Sequence, residues 1–131
     1  MTTTQTLQAR MAEQANTLLG MLDAGRRAKV QYPSVRDEER ERFFYTPTDH
    51  GGLRMQYLTS AQQREVLRLV ATGLSPRGFV TTATIMAMEN ILDMTEGWIW
   101  PMRSEDGVRI RDPLAYAISI FGDPAGSAPW G

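Results

Sequence analysis

The 131-residue chain contains no cysteine. That excludes disulfides, zinc–thiolate centres, iron–sulfur clusters and cysteine nucleophiles together. Histidine is almost as scarce, with one copy at His50, so a metal site built on several imidazoles is excluded as well. Charge of neither sign dominates: 14 Lys and Arg stand against 15 Asp and Glu, a net of −1. A strongly basic nucleic-acid binder is therefore not expected. The small basic group Arg26, Arg27 and Lys29 is offset by Asp37, Glu38 and Glu39, and reads as a solvated loop. No run reaches the roughly 18 apolar residues that a spanning helix needs. The start, Met1 to Leu7, has neither the basic end nor the apolar stretch of a signal peptide. The expectation is a cytoplasmic chain with no membrane and no nucleic-acid partner. A phosphate-cradling loop is missing too, because Gly51-Gly52 and Gly122-Asp123-Pro124 lack the lysine and the strand–loop–helix setting.

What is present is core material. Apolar residues make up 42% and charged residues 22%, with eight Met, three Trp, four Tyr and four Phe. This is a globular composition, of a length that suits one domain over residues 1–131. Leu7, Met11, Ala15, Leu18, Leu19 and Leu22 recur at three- and four-residue spacing, predicting an amphipathic helix from about Thr4 to Leu22. Asp23 is placed to cap a short turn carrying Arg26 and Arg27. Val30 to Tyr32 and Arg42 to Tyr45 are short strand candidates around the charged turn Ser34 to Glu41, and Thr46 to Gly52 is a loop. Thr59 and Gln62 form a capping-box pattern that opens a helix to about Thr72, with Gly73 as its stop. Ser75-Pro76 starts another helix, to about Thr95. Its apolar side carries Val80, Ala83, Ala87, Ile91 and Met94, extended by Ile85, Met88 and Leu92, which predicts a central, largely buried helix. The short connection predicts that the two helices pack as a hairpin. Trp98-Ile99-Trp100 and Val108-Arg109-Ile110 flank an Asp106-Gly107 turn in the manner of a β-hairpin. Tyr116 to Phe121 reads as a strand in need of partners. Trp130-Gly131 then puts a large aromatic at the end of the chain.

Three groups of residues invite a chemical reading. His50 beside Asp49 has the form of a general base, although a loop histidine in solvent explains it as well. Glu89, Asp93 and Glu96 lie within about 60° on one helix face. Negative charge in the last turns opposes the helix dipole, so this stripe calls for a cationic partner or for water. A divalent metal, Arg103, Arg109 or Arg111 would each serve. Three carboxylates along a straight helix span about 10 Å, which disfavours a tight metal site. Trp98 and Trp100 share a strand face that would suit ligand stacking or partial burial. Met86, Met88 and Met94 point in different directions and read as core.

Further pieces carry a resemblance. They are Asp37-Glu38-Glu39-Arg40 with Phe43, Tyr45 and Pro47, then Leu58-Thr59 with Gln62-Gln63-Arg64. Next come Leu74-Ser75 and Gly78-Phe79 before Ile85-Met86 and Glu89. Last come Arg111-Asp112-Pro113, Tyr116, Ile120-Phe121-Gly122, Pro124 and Trp130-Gly131. In this order they resemble the N-terminal part of the bacterial and fungal family DUF3500. Phe43 departs from the tryptophan expected there and keeps an aromatic. The resemblance implies relatives that run beyond this length into a segment with paired histidines, and it brings no activity with it.

The expected architecture is α+β: an N-terminal amphipathic helix, a central helical hairpin and a few short strands toward the C-terminus, in a single incomplete domain. The sequence names no reaction and no cofactor, and leaves open whether the chain is an enzyme. The expected role is the scaffold portion of a larger protein whose site needs residues beyond Gly131. The alternative is a self-contained helical binding module that works through Trp98 and Trp100. A metal-dependent hydrolase using the acidic stripe ranks third. Self-association through exposed apolar surface or the edge strand is also expected.

Overall fold

The structure is a computed structural model that describes residues 3–43, 51–96 and 106–131. Helix α1 spans Thr3–Gly20. Its periodic stripe buries Ala15, Leu18 and Leu19, and Leu22 follows in the turn. Asp23 caps α2 (Ala24–Val30), its Oδ1 accepting from the Arg26 N–H at 2.9 Å. That backbone bond, with the Arg26 charge behind it, holds the Asp23 carboxyl below its usual pKa. Strand β1 (Gln31–Tyr32) follows directly, then a 3₁₀ turn at Glu38–Arg40.

Helix α3 (Ser60–Gly73) opens with the full capping box. Thr59 Oγ1 accepts from the Gln62 N–H at 3.3 Å, and Gln62 Oε1 accepts from the Thr59 N–H at 2.9 Å. Gln62 Nε2 also donates to the Met21 carbonyl at 2.8 Å. One buried amide thus closes the start of α3 and ties it to the end of α1. The two helices pack together, with Val66 and Leu69 of α3 buried. Beside them Leu53, Met55 and Leu58 complete the core, from strand β2 (Leu53–Arg54) and the 3₁₀ turn Met55–Tyr57.

The C-terminal part supplies two partner strands. β3 (Ala117–Ile118) runs antiparallel to β2, with Leu53 opposite Ile118. β4 (Ile120–Phe121) runs parallel to β1, with Gln31 opposite Ile120, and Phe121 stacks on Tyr32 at 4.7 Å. On its other side, Phe121 exchanges both backbone bonds with Gly131, at 2.6 and 2.9 Å. Gly122 makes that return possible: its φ is +89°, and a Cβ there would meet Pro129 O at 3.1 Å and Trp130 Cβ at 3.2 Å.

The α+β architecture agrees with the sequence reading, and several details correct it. Tyr116 to Phe121 is not one bare strand but two short ones, each paired with a different partner. Trp130 is half-buried against the core rather than left loose. The turn after Asp23 is a helix. Arg42 and Phe43 form no strand, and the rest of that segment lies outside the described residues, as does the Trp98 to Trp100 arm of the expected hairpin.

The largest correction concerns α4 (Pro76–Glu96), capped by Ser75 Oγ, which accepts from the Gly78 N–H at 3.0 Å. None of its residues is buried. Val80 is 63% exposed, Ile91 57% and Met94 82%. The periodicity identified one apolar face, but that face is turned outward. At about 100° per residue, Val80, Ala87, Ile91 and Met94 lie opposite Glu89, Asp93 and Glu96. The half-buried inner face carries the three carboxylates together with Phe79, Thr82 and Met86. The helix sits with its polar stripe in and its apolar stripe out.

Candidate functional site

The inner face of α4 is held by the segment that precedes β3. In that segment Asp112 Oδ1 accepts from the Leu114 N–H at 2.7 Å. The backbone then docks onto the Met55–Tyr57 turn, with Met55 N–H donating to the Tyr116 carbonyl at 3.0 Å and Gln56 N–H to that of Leu114 at 2.9 Å. Gln56 Nε2 donates to the Arg109 carbonyl at 2.7 Å, and the Tyr57 hydroxyl bonds Asp106. Residues 106–116 therefore form a strap anchored to the core side, with two arginines aimed at α4.

Each arginine takes a share of the acidic stripe. Arg111 Nη1 lies 3.4 Å from Glu89 Oε2, and its Nη2 lies 2.9 Å from Glu96 Oε2. Arg109 Nε lies 3.2 Å from Asp93 Oδ2. Arg109 Nη2 donates to Asn90 Oδ1 at 3.0 Å and to the Arg111 carbonyl at 2.8 Å. Asp112 stands 3.9 Å from Arg109 Nη1. The planar guanidinium suits this bridging of several acceptors. The Tyr116 hydroxyl donates to Glu89 Oε1 at 3.3 Å. Partial burial pushes the Tyr116 pKa up, and the adjacent Glu89 charge adds to the shift, against a smaller pull from Arg111.

Glu89, Asp93 and Glu96 are thus brought together as one cluster, and two cations of the chain itself meet them. Among the described residues no group of three or more His, Asp and Glu is arranged to hold a metal ion. Arg109 and Arg111 were two of the partners open from the sequence; Arg103, His50, Trp98 and Trp100 lie outside the described residues. Within the cluster Glu89 accepts hydrogen bonds from Arg111 Nη1 and the Tyr116 hydroxyl, whereas Asp93 and Glu96 are held by ion pairs.

A second polar junction was not foreseen. Glu39 Oε1 accepts from the Gly51 N–H at 2.7 Å, while its Oε2 pairs with Arg42 Nε at 2.9 Å. The Tyr32 hydroxyl accepts from the Gly52 N–H at 3.0 Å. Gly52 has φ +90°, and a Cβ there would stand 2.5 Å from Ser119 Oγ and 2.7 Å from Ile118 O. The glycine pair is needed for this close approach of backbone to strand. The Gly-Gly sequence was the available signal, but nothing local connects it to Glu39 or Ser119. These bonds tie the glycine pair to β1 and to the 3₁₀ turn, while Gly52 lies close against β3.

The third feature is the outward face of α4. Between Gly78 and Glu96 the only charged residues are Glu89, Asp93 and Glu96, all on the inner side. On that face Val80, Ile91 and Met94 are each more than half exposed, with Met88 at its edge; Ile85 is exposed too, but lies round the helix on the side of Glu96. Scattered exposed apolar residues are ordinary, whereas a contiguous uncharged stripe marks an interaction surface. Among the described residues no helix is long and apolar enough to cross a membrane.

Comparison with known proteins bears on the whole chain. The profile of the family described as "Protein of unknown function (DUF3500)" matches residues 4–131. No curated protein and no solved structure gives a match. The chain belongs to the DUF3500 family.

Proposed function

We propose that this DUF3500 chain is a scaffold and docking module whose working surface is the outward face of α4. The observation that carries the reading is the inverted seating of that helix, with carboxylates in and apolar side chains out. A helix within a protein gains its stability mainly by packing its apolar face. Here two arginines hold the opposite face, which leaves the apolar one available for a protein surface. Each large side chain covered by a partner would contribute about 1.5–3 kcal/mol. The same arrangement supports a scaffold in preference to a catalyst, because the acids that would have made an active site are engaged by guanidiniums.

The test is Ile91→Lys, which places a charge in the middle of the stripe. Expected are an unchanged helix content, a folding stability within about 0.5 kcal/mol of the parent and a weaker uptake of an apolar fluorescent dye. A loss of about 2–5 kcal/mol, the cost of damaging a buried site, would show that the chain covers this face itself and would overturn the proposal.

A further inference from the structure

We infer that α4 is a conditional helix: the two strap arginines form a latch that keeps it folded, and it opens as a unit while the core built on α1 and α3 stays intact. The device concerns the inner face of α4 and is independent of what the outer face meets.

The first ground is the make-up of the core. Its buried residues come from α1 and the turn after it, α2, the segment from Leu53 to Leu58, α3 and β4, and none comes from α4. Met86 of α4 packs against that cluster and is itself only half-buried. The start of α3 is closed without α4: Gln62 reaches the Met21 carbonyl, and Gln63 Nε2 donates to the carbonyls of Met55 and Leu58 at 3.0 and 3.1 Å. Release of α4 therefore removes no member of the core.

The second ground is that α4 is a poor helix on its own. Gly78, Val80, Ile85 and Ile91 lower its intrinsic propensity. The hydroxyls of Thr81, Thr82, Thr84 and Thr95 each bond the carbonyl four residues back, at 2.8–3.0 Å, a contact that slightly weakens a helix. The last turn holds no basic residue of its own, while Glu89 and Asp93 set like charges at i,i+4 against the dipole. Without tertiary support a helix of this kind is marginal in water.

The strap supplies what is missing. Among the described residues, every ion pair from α4 to the rest of the chain is made by Arg109 or Arg111. They bring positive charge to the end of the helix that lacks it. Arg111 clamps Glu89 and Glu96, two turns apart and about 10 Å along the axis, so both pairs form only when that stretch is helical. Latch and helix are thus coupled. The strap keeps its own seat when α4 leaves, because backbone bonds hold it on the Met55–Tyr57 turn. Among the described residues Arg111 Nε is buried with no hydrogen-bond partner, a desolvation cost that release recovers.

Native-state hydrogen exchange of the full chain in low urea tests this. The α4 amides should exchange at least about tenfold faster than those of Val66 and Leu69, and with a shallower urea dependence, since opening α4 exposes less surface than unfolding the core. Raising sodium chloride from about 0.05 to about 0.5 M should speed α4 exchange about threefold by screening the latch. Arg109→Gln combined with Arg111→Gln should speed it at least about tenfold, with Val66 and Leu69 still protected. One exchange free energy and one urea slope shared by α4 and α3 would overturn the inference, as would α4 exchange indifferent to salt or to the double substitution. A double variant that loses its fold altogether would overturn it too, because the core would then depend on α4.

Discussion

Arg111→Gln tests whether the strap is what holds α4 with its apolar face outward. The guanidinium makes two ion pairs of different character. The one to Glu96 is partly exposed, with 41% of the Glu96 side chain in solvent, and such a pair contributes about 0.2–1 kcal/mol. The one to Glu89 is more enclosed, with only 18% of that side chain exposed. Removing its partner leaves a half-buried carboxylate with the Tyr116 hydroxyl alone, which costs about 1–3 kcal/mol. Together these give a loss of about 2 kcal/mol, or a fall in Tm of roughly 8 °C for a chain of this size. Urea titration and thermal melting would read it. A double-mutant cycle with Glu89→Gln should show a coupling of about 1 kcal/mol, and Arg77→Gln, an exposed residue outside the strap contacts, should stay within about 0.5 kcal/mol. Salt should weaken the Glu96 contribution more than that of Glu89, since exposed pairs are the better screened. If Arg111→Gln were as mild as Arg77→Gln and uncoupled from Glu89, the acidic stripe would be a solvated face and the strap would not be what orients α4.

Other consequences are as open to measurement. Leu18→Ala, at a fully buried position, should cost about 2–5 kcal/mol in a denaturant titration, whereas Ile91→Ala should cost under about 1 kcal/mol; equal costs would mean that α4 is buried after all. Gly52→Ala, at φ +90° and against Ser119 Oγ and Ile118 O, should lower stability by about 1–3 kcal/mol, and a neutral result would refute the tight β3 approach. Tyr116 has a raised pKa in the fold, so its contribution to stability is fully present below the ordinary value of 10.0 and is lost as pH rises through the higher folded value. Ultraviolet difference titration against Tyr116→Phe should show a late-ionising phenol; ionisation at or below the ordinary value would contradict the Glu89 contact.

What the sequence disclosed and what it withheld follow from the range of the signals. Caps act over three residues, so Thr59 with Gln62, Ser75 with Gly78 and Asp23 with Arg26 could be read directly. The periodicity of α1 gave its helix and, from Ala15 on, its buried face, whereas Leu7 at the start of the stripe is exposed. In α4 the same logic found the apolar stripe but not its direction. An apolar stripe is normally turned inward, and here Arg109 and Arg111, 19 and 22 residues away from Asn90 and Glu89, bind the other side. Their type and charge marked them as partners of the acids, but no local pattern could choose them over metal or water. The paired strands are two residues long, too short for any alternation to register. The buried set Leu53, Met55 and Leu58 is carried by a strand and a turn with no common period. Glu39 meeting Gly51 depends on how the chain returns to β1, which no local sequence pattern encodes.

The pairing of β1 with β4 governs the order in which the chain assembles. Gln31 Nε2 bonds the carbonyl of Gly122, 91 residues further along, so this junction closes a long loop that contains β2, α3, α4 and β3. Closure entropy grows with loop length, by about 0.6 kcal/mol per doubling, and contacts this distant slow folding. α1 and α3 lie closer in sequence and share the Gln62 bridge, so they meet first. Tyr32 must wait for Phe121. During synthesis the aromatic face of β1 therefore stays uncovered until Phe121 arrives, and the helical half of the core is in place before either sheet exists.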